Sequence, residues 1–337
     1  MDGVARLPAD DRAAMFEATA AGRHLANARI VEKDFWVCWT LHKLYAIPAM
    51  PRLLFKGGTS LSKCFGLIHR FSEDIDLGME RGDIGLVGEL DPMAQPSRKR
   101  SERAREAMTA KVHEYVAVSF FPAIKEDFRD ALDEDFVLHP PESDAKEPSI
   151  RFEYPRALEA ASYGPGDPVA SVVRLELGAR SDHEPVRTIG IRPYVADGFE
   201  SEFSQPTCTV VAQAPERTLL EKAFILHAAI HKGRIKRQSS RHAYDLAMMV
   251  RDESTMAAVT RELYERVAHH KFVFGESTTV RHALTDGIRL VPEGDALRDL
   301  GADYRGMQSM LFSDPAPPSF ADVVAGLAAL ETALRSL

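Results

Sequence analysis

Two groups of residues in this chain have the types and spacing to do chemistry on phosphates. Asp74 and Asp76 flank one apolar residue in Asp74-Ile75-Asp76-Leu77, the two-residue period of a half-buried strand, so both carboxylates share a face. Side chains two apart on a strand start roughly 7 Å apart and can lean together, which suits metal ions about 3.5–4 Å apart. Upstream, the apolar run Leu53-Leu54-Phe55 passes through Lys56 to a double glycine, Gly57-Gly58, after which Thr59 and Ser60 open an apolar-periodic helix. Backbone N–H groups at such a turn point outward with the positive end of the helix dipole, and glycine lets a phosphate approach the main chain. Alone, a Gly-Gly is a turn and Ser72-Glu73-Asp74 a helix cap. In this order, they predict a triphosphate cradle followed by a Mg²⁺ clamp.

These residues need elements to hold them. Residues 9–22, rich in Ala, Asp, Glu and Arg, read as a first helix. Apolar residues at helical spacing carry a second from Ile30 to about Tyr45, and Pro48 and Pro51 end it. Trp36 and Trp39, three apart on that helix, are read as core in preference to a base-stacking pair. A variable region spans 81–150, with a charged helix from Ser97 to about Phe121 and loops at Asp133-Glu134-Asp135 and from His139 to Asp144. The Arg98 to Arg105 cluster on that helix reads as a solvated face in preference to an RNA contact.

Candidate strands follow at 150–154, 171–178, 187–195 and 207–213, with a turn at Tyr163–Pro168. In 171–178, Val173, Leu175 and Leu177 take one face and Arg174 and Glu176 the other. Glu176 is a third acid at the metal site if its strand lies beside that of Asp74 and Asp76; otherwise it is a surface residue paired with Arg174 or Arg180. From Pro215 the pattern turns helical, with proline in the first turn and Glu216 near the positive dipole end, and it runs to about His231. Lys222 follows Glu221 there, at a position where a solvated lysine is common. The next helix, Ser240 to Met249, carries Asp245, which can pair with Arg241 at i, i+4. Between the two lies a basic loop with Lys232, Arg234, Lys236 and Arg237, continued by Arg241. It is either an exposed turn or a grip on an RNA backbone, whose phosphate contacts position without reading sequence. Weaker helical patterns occupy 253–268, 294–310 and 319–336.

Composition narrows the class. A 337-residue chain that is 45% hydrophobic and 27% charged suits a globular protein of two domains or one large one. It has no 18-residue apolar run and begins with the polar MDGVARLPADDR, so neither a membrane span nor a signal peptide is expected, and the cytoplasm is the expected location. A net charge of −8 argues against coating nucleic acid through the overall field, while leaving room for a local basic patch. Cys38, Cys64 and Cys208 are far apart in apolar contexts and are expected to be buried free thiols, not disulfides or zinc ligands. HExxH, CxxC, GxSxG and the Walker pattern are absent.

The stretch KGGTSLSK, followed by RFSEDIDL, closely resembles the AbiEii/AbiGii toxin family of nucleotidyltransferases, which includes the MenT toxins and belongs to the DNA polymerase β-like superfamily. Three further islands resemble the family in the same order: EKDFW (Glu32–Trp36), RTLLEK (Arg217–Lys222) and RHAYDL (Arg241–Leu246). The resemblance implies an α+β fold: an N-terminal helical cap over 1–50, a nucleotidyltransferase core with a mixed β-sheet over 51–213, and a C-terminal helical domain over 214–337. The nucleotide would sit between core and C-terminal domain. Lys56, Gly57, Gly58, Thr59 and Ser60 would bind the NTP. Asp74 and Asp76 would bind Mg²⁺ and orient the attacking hydroxyl, with Glu176 as the third acid that the superfamily commonly has. Lys222 matches the family's catalytic lysine, a compact charge suited to a phosphate oxygen in the transition state. Asp245 matches its late acidic residue, positioning a lysine, a base or the acceptor. By resemblance, the protein is the toxin half of a type IV toxin–antitoxin or abortive-infection system, moving NMP to an RNA acceptor, with the tRNA 3′ end the expected one. Growth arrest would follow from blocked aminoacylation, and an antitoxin encoded nearby is implied that need not touch the toxin.

Two other readings compete. A nucleotidyltransferase acting on a protein or small molecule would use the same metal site with an acceptor cleft lined by carboxylates or aromatics. A non-catalytic nucleotide-binding module would have no need of the Asp74/Asp76 pair.

Overall fold

Where apolar residues alternate or run unbroken between turn signals, strands form: β1 (Leu53–Lys56), β2 (Asp74–Met79), β3 (Val137–His139), β4 (Ser149–Glu153), β5 (Val172–Gly178), β6 (Val186–Ile191) and β7 (Cys208–Gln213). They make one mixed sheet in the order β3-β4-β5-β2-β1-β7-β6. β2 is antiparallel to β1 and parallel to β5, β1 is parallel to β7, and β4 is antiparallel to β3 and β5. The computed structural model describes all residues except 26, 49, 73, 143–146, 160–169 and 312–315. The turn expected at Tyr163–Pro168, with Glu73, Ser143 and Asp144, lies outside the described residues.

Helices occupy the rest: α1 (Asp2–Ala5), α2 (Ala9–Gly22), α3 (Ala28–Ala46), α4 (Gly57–Lys63), α5 (Arg98–Tyr115), α6 (Phe121–Ala131), α7 (Pro215–His231), α8 (Ser239–Met249), α9 (Glu253–Ala258), α10 (Arg261–Lys271), α11 (Ser277–Thr285), α12 (Gly294–Met307) and α13 (Phe320–Arg335). The variable region is more ordered than its composition predicts. Its charged helix does not stop near Phe121 but passes through a π turn, Val116–Phe120, into α6, and His139 ends a strand where a loop was expected. Pro122 follows directly on the π turn, the kind of local adjustment that accommodates a residue without an N–H inside a continuing helix.

The chain forms two compact units. The first comprises Met1–Cys64, Ser72–Val87 and Glu106–Ala212; the second comprises Phe65–Phe71, Gly88–Arg105 and Gln213–Leu337. In the first, the apolar face of the sheet presents Phe55, Ile75, Leu77, Val173, Leu175, Leu177, Ile150 and Phe152, all fully buried. Trp36 and Trp39 of α3 and Phe128 of α6 pack here, with Trp36 stacked on Tyr154 at 5.4 Å and Trp39 edge-on to Phe128 at 4.7 Å. Aromatic pairs of this kind add about 0.5–1.5 kcal/mol each beyond area burial. Both tryptophans are therefore core. In the second unit, Leu219, Leu220 and Phe224 of α7, Tyr244 and Leu246 of α8, and Val323, Leu327 and Leu330 of α13 are buried. α13 opens with a capping box between Ser319 and Asp322.

Cys38 and Cys208 are buried free thiols, while Cys64 is only half-buried. Among the described residues, no helix is long and apolar enough to cross a membrane.

Candidate active site

Strand register assembles the acids of the first unit. Asp76 lies opposite Lys56 of β1 and beside Glu176 of β5, and Asp74 lies beside Arg174. Cross-strand neighbours share a face. Lys56, Asp74, Asp76, Arg174 and Glu176 therefore crowd the polar side of a sheet whose other side is core. Of the two partners considered for Glu176, Arg174 comes within 3.9 Å of Asp74, and Arg180 pairs with Glu147 at 3.1 Å. Burial pushes the Glu176 carboxyl up to about 7, and the charges of Asp76 and Asp74 and a hydrogen bond with Asp76 push the same way. A carboxyl–carboxylate hydrogen bond requires a shared proton, the sign of acids held closer than their charges favour.

The glycine turn leans on the same acids. Gly57 has φ +79°, in the left-handed region that glycine enters at no steric cost, and a Cβ at this position would meet Asp76 Cγ at 2.7 Å and Asp76 Cβ at 3.1 Å. The Thr59 hydroxyl lies 2.5 Å from the Asp74 carbonyl oxygen and 3.0 Å from Ser72 Oγ, and the Ser60 hydroxyl donates to the Gly57 carbonyl at 3.0 Å. Thr59 and Ser60 are both buried. Their hydroxyls brace the turn from within, while Lys56 and Gly57 stay partly exposed. α4 has only seven residues, so its dipole is small and any grip on a phosphate rests on the turn's own N–H groups.

Glu32, Lys33 and Asp34, to which the sequence alone assigns no role, are the ties of this assembly. Glu32 and Lys33 are buried. Lys33 donates to the carbonyls of Ala170, at 3.0 Å, and Val172, fixing the start of β5. Asp34 forms an ion pair with Lys63 at the end of α4 and accepts the Tyr194 N–H at 2.6 Å; Lys63 also lies over the Tyr194 ring at 4.0 Å. Glu32 accepts the Ala157 N–H at 2.7 Å. Burial raises its carboxyl to about 7, against that hydrogen bond and the charges of Arg12 and Arg156.

In the second unit, Lys222 Nζ lies 2.9 Å from Asp245 Oδ2. Arg70 grips the same carboxylate in a fork, Nε to Oδ1 at 2.7 Å and Nη2 to Oδ2 at 2.8 Å. Asp245 is fully buried. Burial alone would raise its carboxyl, but Arg70 and Lys222 hold it below the usual range. Arg70 is absent from the sequence-based site, although it opens the stretch RFSEDIDL; nothing in its local pattern marks a partner so far along the chain. His242, one turn before Asp245, is pushed down to about 3 by burial and the Lys222 charge, so it is neutral at physiological pH.

Lys232, Arg234, Lys236 and Arg237 are exposed, and Arg241 is half-buried with its Nη2 at 3.1 Å from Met310 Sδ. The basic loop is anchored: the Asp303 carboxylate accepts the Gln238 and Ser240 N–H groups, both at 2.8 Å.

Among the described residues, no group of three or more His, Cys, Asp or Glu side chains is disposed to hold a metal ion by itself. Mg²⁺ is usually bound by one or two carboxylates together with substrate phosphates and waters, not by an all-protein cage. A family model described as "Nucleotidyl transferase AbiEii toxin, Type IV TA system" matches residues 40–326. The solved structure of MenT4, a nucleotidyltransferase toxin from Mycobacterium tuberculosis H37Rv, aligns with a TM-score of 0.45 and 18% identity over 96% of this chain and 98% of that one. No curated protein sequence matches.

Proposed function

The chain belongs to the AbiEii family of nucleotidyltransferase toxins of type IV toxin–antitoxin systems, and we propose that it moves NMP from an NTP to the 3′ end of an RNA, a tRNA, with Mg²⁺ held by Asp74 and Asp76. The observation that supports this most is the alignment of Asp76 with Glu176 across β2 and β5. Acids aligned on one face of adjacent strands are a hard-oxygen donor set, and they fit Mg²⁺. When bound, Mg²⁺ supplies charge neutralisation on the triphosphate and activation of the acceptor hydroxyl.

The chain's own residues do the rest. Asp74 and Asp76, with Glu176 as the third acid of the metal site, orient the acceptor hydroxyl toward the α-phosphorus, and the hydroxyl proton passes to solvent water. Lys56 and the N–H groups from Gly57 to Ser60 hold the triphosphate. Lys222, aimed by Asp245, neutralises a phosphate oxygen as charge builds and pyrophosphate leaves in line. The exposed cations Lys232, Arg234, Lys236 and Arg237, with Arg241, grip the RNA backbone. A cognate antitoxin encoded nearby controls the activity, and the enzyme works in the cytoplasm.

The test is to supply each α-labelled NTP with total RNA, purified tRNA or the protein alone, then digest the labelled product. Label on the 3′-terminal nucleotide of tRNA is expected; label on protein would instead assign a protein acceptor.

A further inference from the structure

Lys222 has a difficulty that the structure resolves. An ammonium held by a fully buried carboxylate is not readily available to a phosphate, because its departure would strand a charge in the interior, and a buried carboxylate robbed of its counter-ion is strongly destabilising. We propose that Arg70 is a positioning residue that frees Lys222: it holds both oxygens of Asp245, so that the Lys222 ammonium can pass from Asp245 to a nucleotide phosphate without leaving that carboxylate unpaired. This rests on the reading that Lys222 serves the nucleotide.

The geometry separates the two cations. Arg70 makes a two-point fork to Oδ1 and Oδ2 at 2.7 and 2.8 Å, whereas Lys222 makes a single contact to Oδ2 at 2.9 Å, an oxygen Arg70 already serves. Arg70 is itself buried and donates further to the Phe71 carbonyl at 3.2 Å, which fixes its guanidinium in place. A planar fork is preorganised, while a lysine is a point charge on a flexible stem. Lys222 is therefore the exchangeable partner and Arg70 the permanent one. Glu221, next to Lys222 on the same helix, is engaged by Arg217 Nε at 2.9 Å.

The test uses the full-length protein and a double-mutant comparison that a merely structural role would not satisfy. Dissociation constants for ATP, CTP, GTP and UTP with Mg²⁺ are measured by calorimetry for wild type, Arg70→Gln, Lys222→Met and the double variant, with thermal melts to establish folding. With Lys222 present, Arg70→Gln is expected to weaken binding of the preferred NTP about tenfold, the scale of one charge-assisted hydrogen bond. With Lys222→Met, it is expected to change binding by less than about twofold, because the effect runs through Lys222. Arg70→Lys, alone and with Lys222→Met, repeats the comparison if either Arg70→Gln protein fails to fold, since Asp245 then keeps one cation. Equal losses in both backgrounds, or none in either, would overturn the inference and leave the nucleotide role of Lys222 standing. Lys222→Met binding and transferring like wild type would remove that role, and the inference with it.

Discussion

The Asp76 carboxyl group fills the space in which a side chain at position 57 would begin: a Cβ on Gly57 would lie 2.7 Å from Asp76 Cγ. Turn and acid are thus one packed unit. Gly57→Ala must both adopt φ near +79°, at about 1–2 kcal/mol for an L-residue, and push Asp76 away. Misplacing a catalytic group by about an ångström costs on the order of 100-fold in rate. Transfer is expected to fall by at least that much, and the urea midpoint to drop modestly. An alanine enzyme transferring at the wild-type rate would show that Asp76 need not rest on the turn.

Glu32 makes stability depend on pH. Its carboxyl titrates near 7 in the folded protein against an ordinary value of 4.5, so between those values the folded state keeps a proton that the unfolded chain has released. Its contribution is fully present below about 4.5 and is lost as pH rises through 7, up to about 3 kcal/mol in total. Glu32→Gln keeps an acceptor for the Ala157 N–H but cannot ionise. Urea unfolding from pH 5 to 8 should give a flatter profile for the glutamine variant than for wild type; parallel profiles would contradict the buried carboxyl.

What was legible in the sequence follows from the range of the interactions. The alternation of Val173, Leu175 and Leu177 gave β5 its core face, and the same period in Asp74-Ile75-Asp76 placed the acids opposite the core. The pairing of β5 with β2 was not legible, because period-two alternation says which face a residue takes but not which strand lies beside it. Glu176 therefore stood between two readings until the register was known. Arg70 and the ties made by Glu32, Lys33 and Asp34 were hidden for a related reason: their partners, Asp245, Ala157, Val172 and Lys63, lie in distant segments. α6 escaped because the charged helix was expected to end near Phe121, whereas the chain continues through a π turn into a further helical segment.

Replacing Lys232, Arg234, Lys236 and Arg237 with alanine is expected to weaken tRNA binding at low salt and to flatten its dependence on salt by roughly 0.7–0.9 in log–log slope per lost phosphate contact. The loss should be uniform across tRNA species, since backbone contacts carry no sequence information, and KM for the NTP should stay within about twofold because these exposed side chains lie outside the nucleotide-binding set. Filter binding over a salt series measures both. An unchanged slope would assign the loop to an exposed turn.

If the carboxylates of β2 carry nucleotidyl transfer, removing one of them abolishes it. Label is followed from each α-³²P NTP onto tRNA with Mg²⁺, comparing wild type with Asp76→Ala in protein shown to be folded. Label from a preferred NTP on tRNA is expected in the wild type, with a loss of about 100- to 1,000-fold in the variant, the scale of removing an essential electrostatic group from an active site. Transfer that persists in Asp76→Ala would contradict that role of the β2 carboxylates.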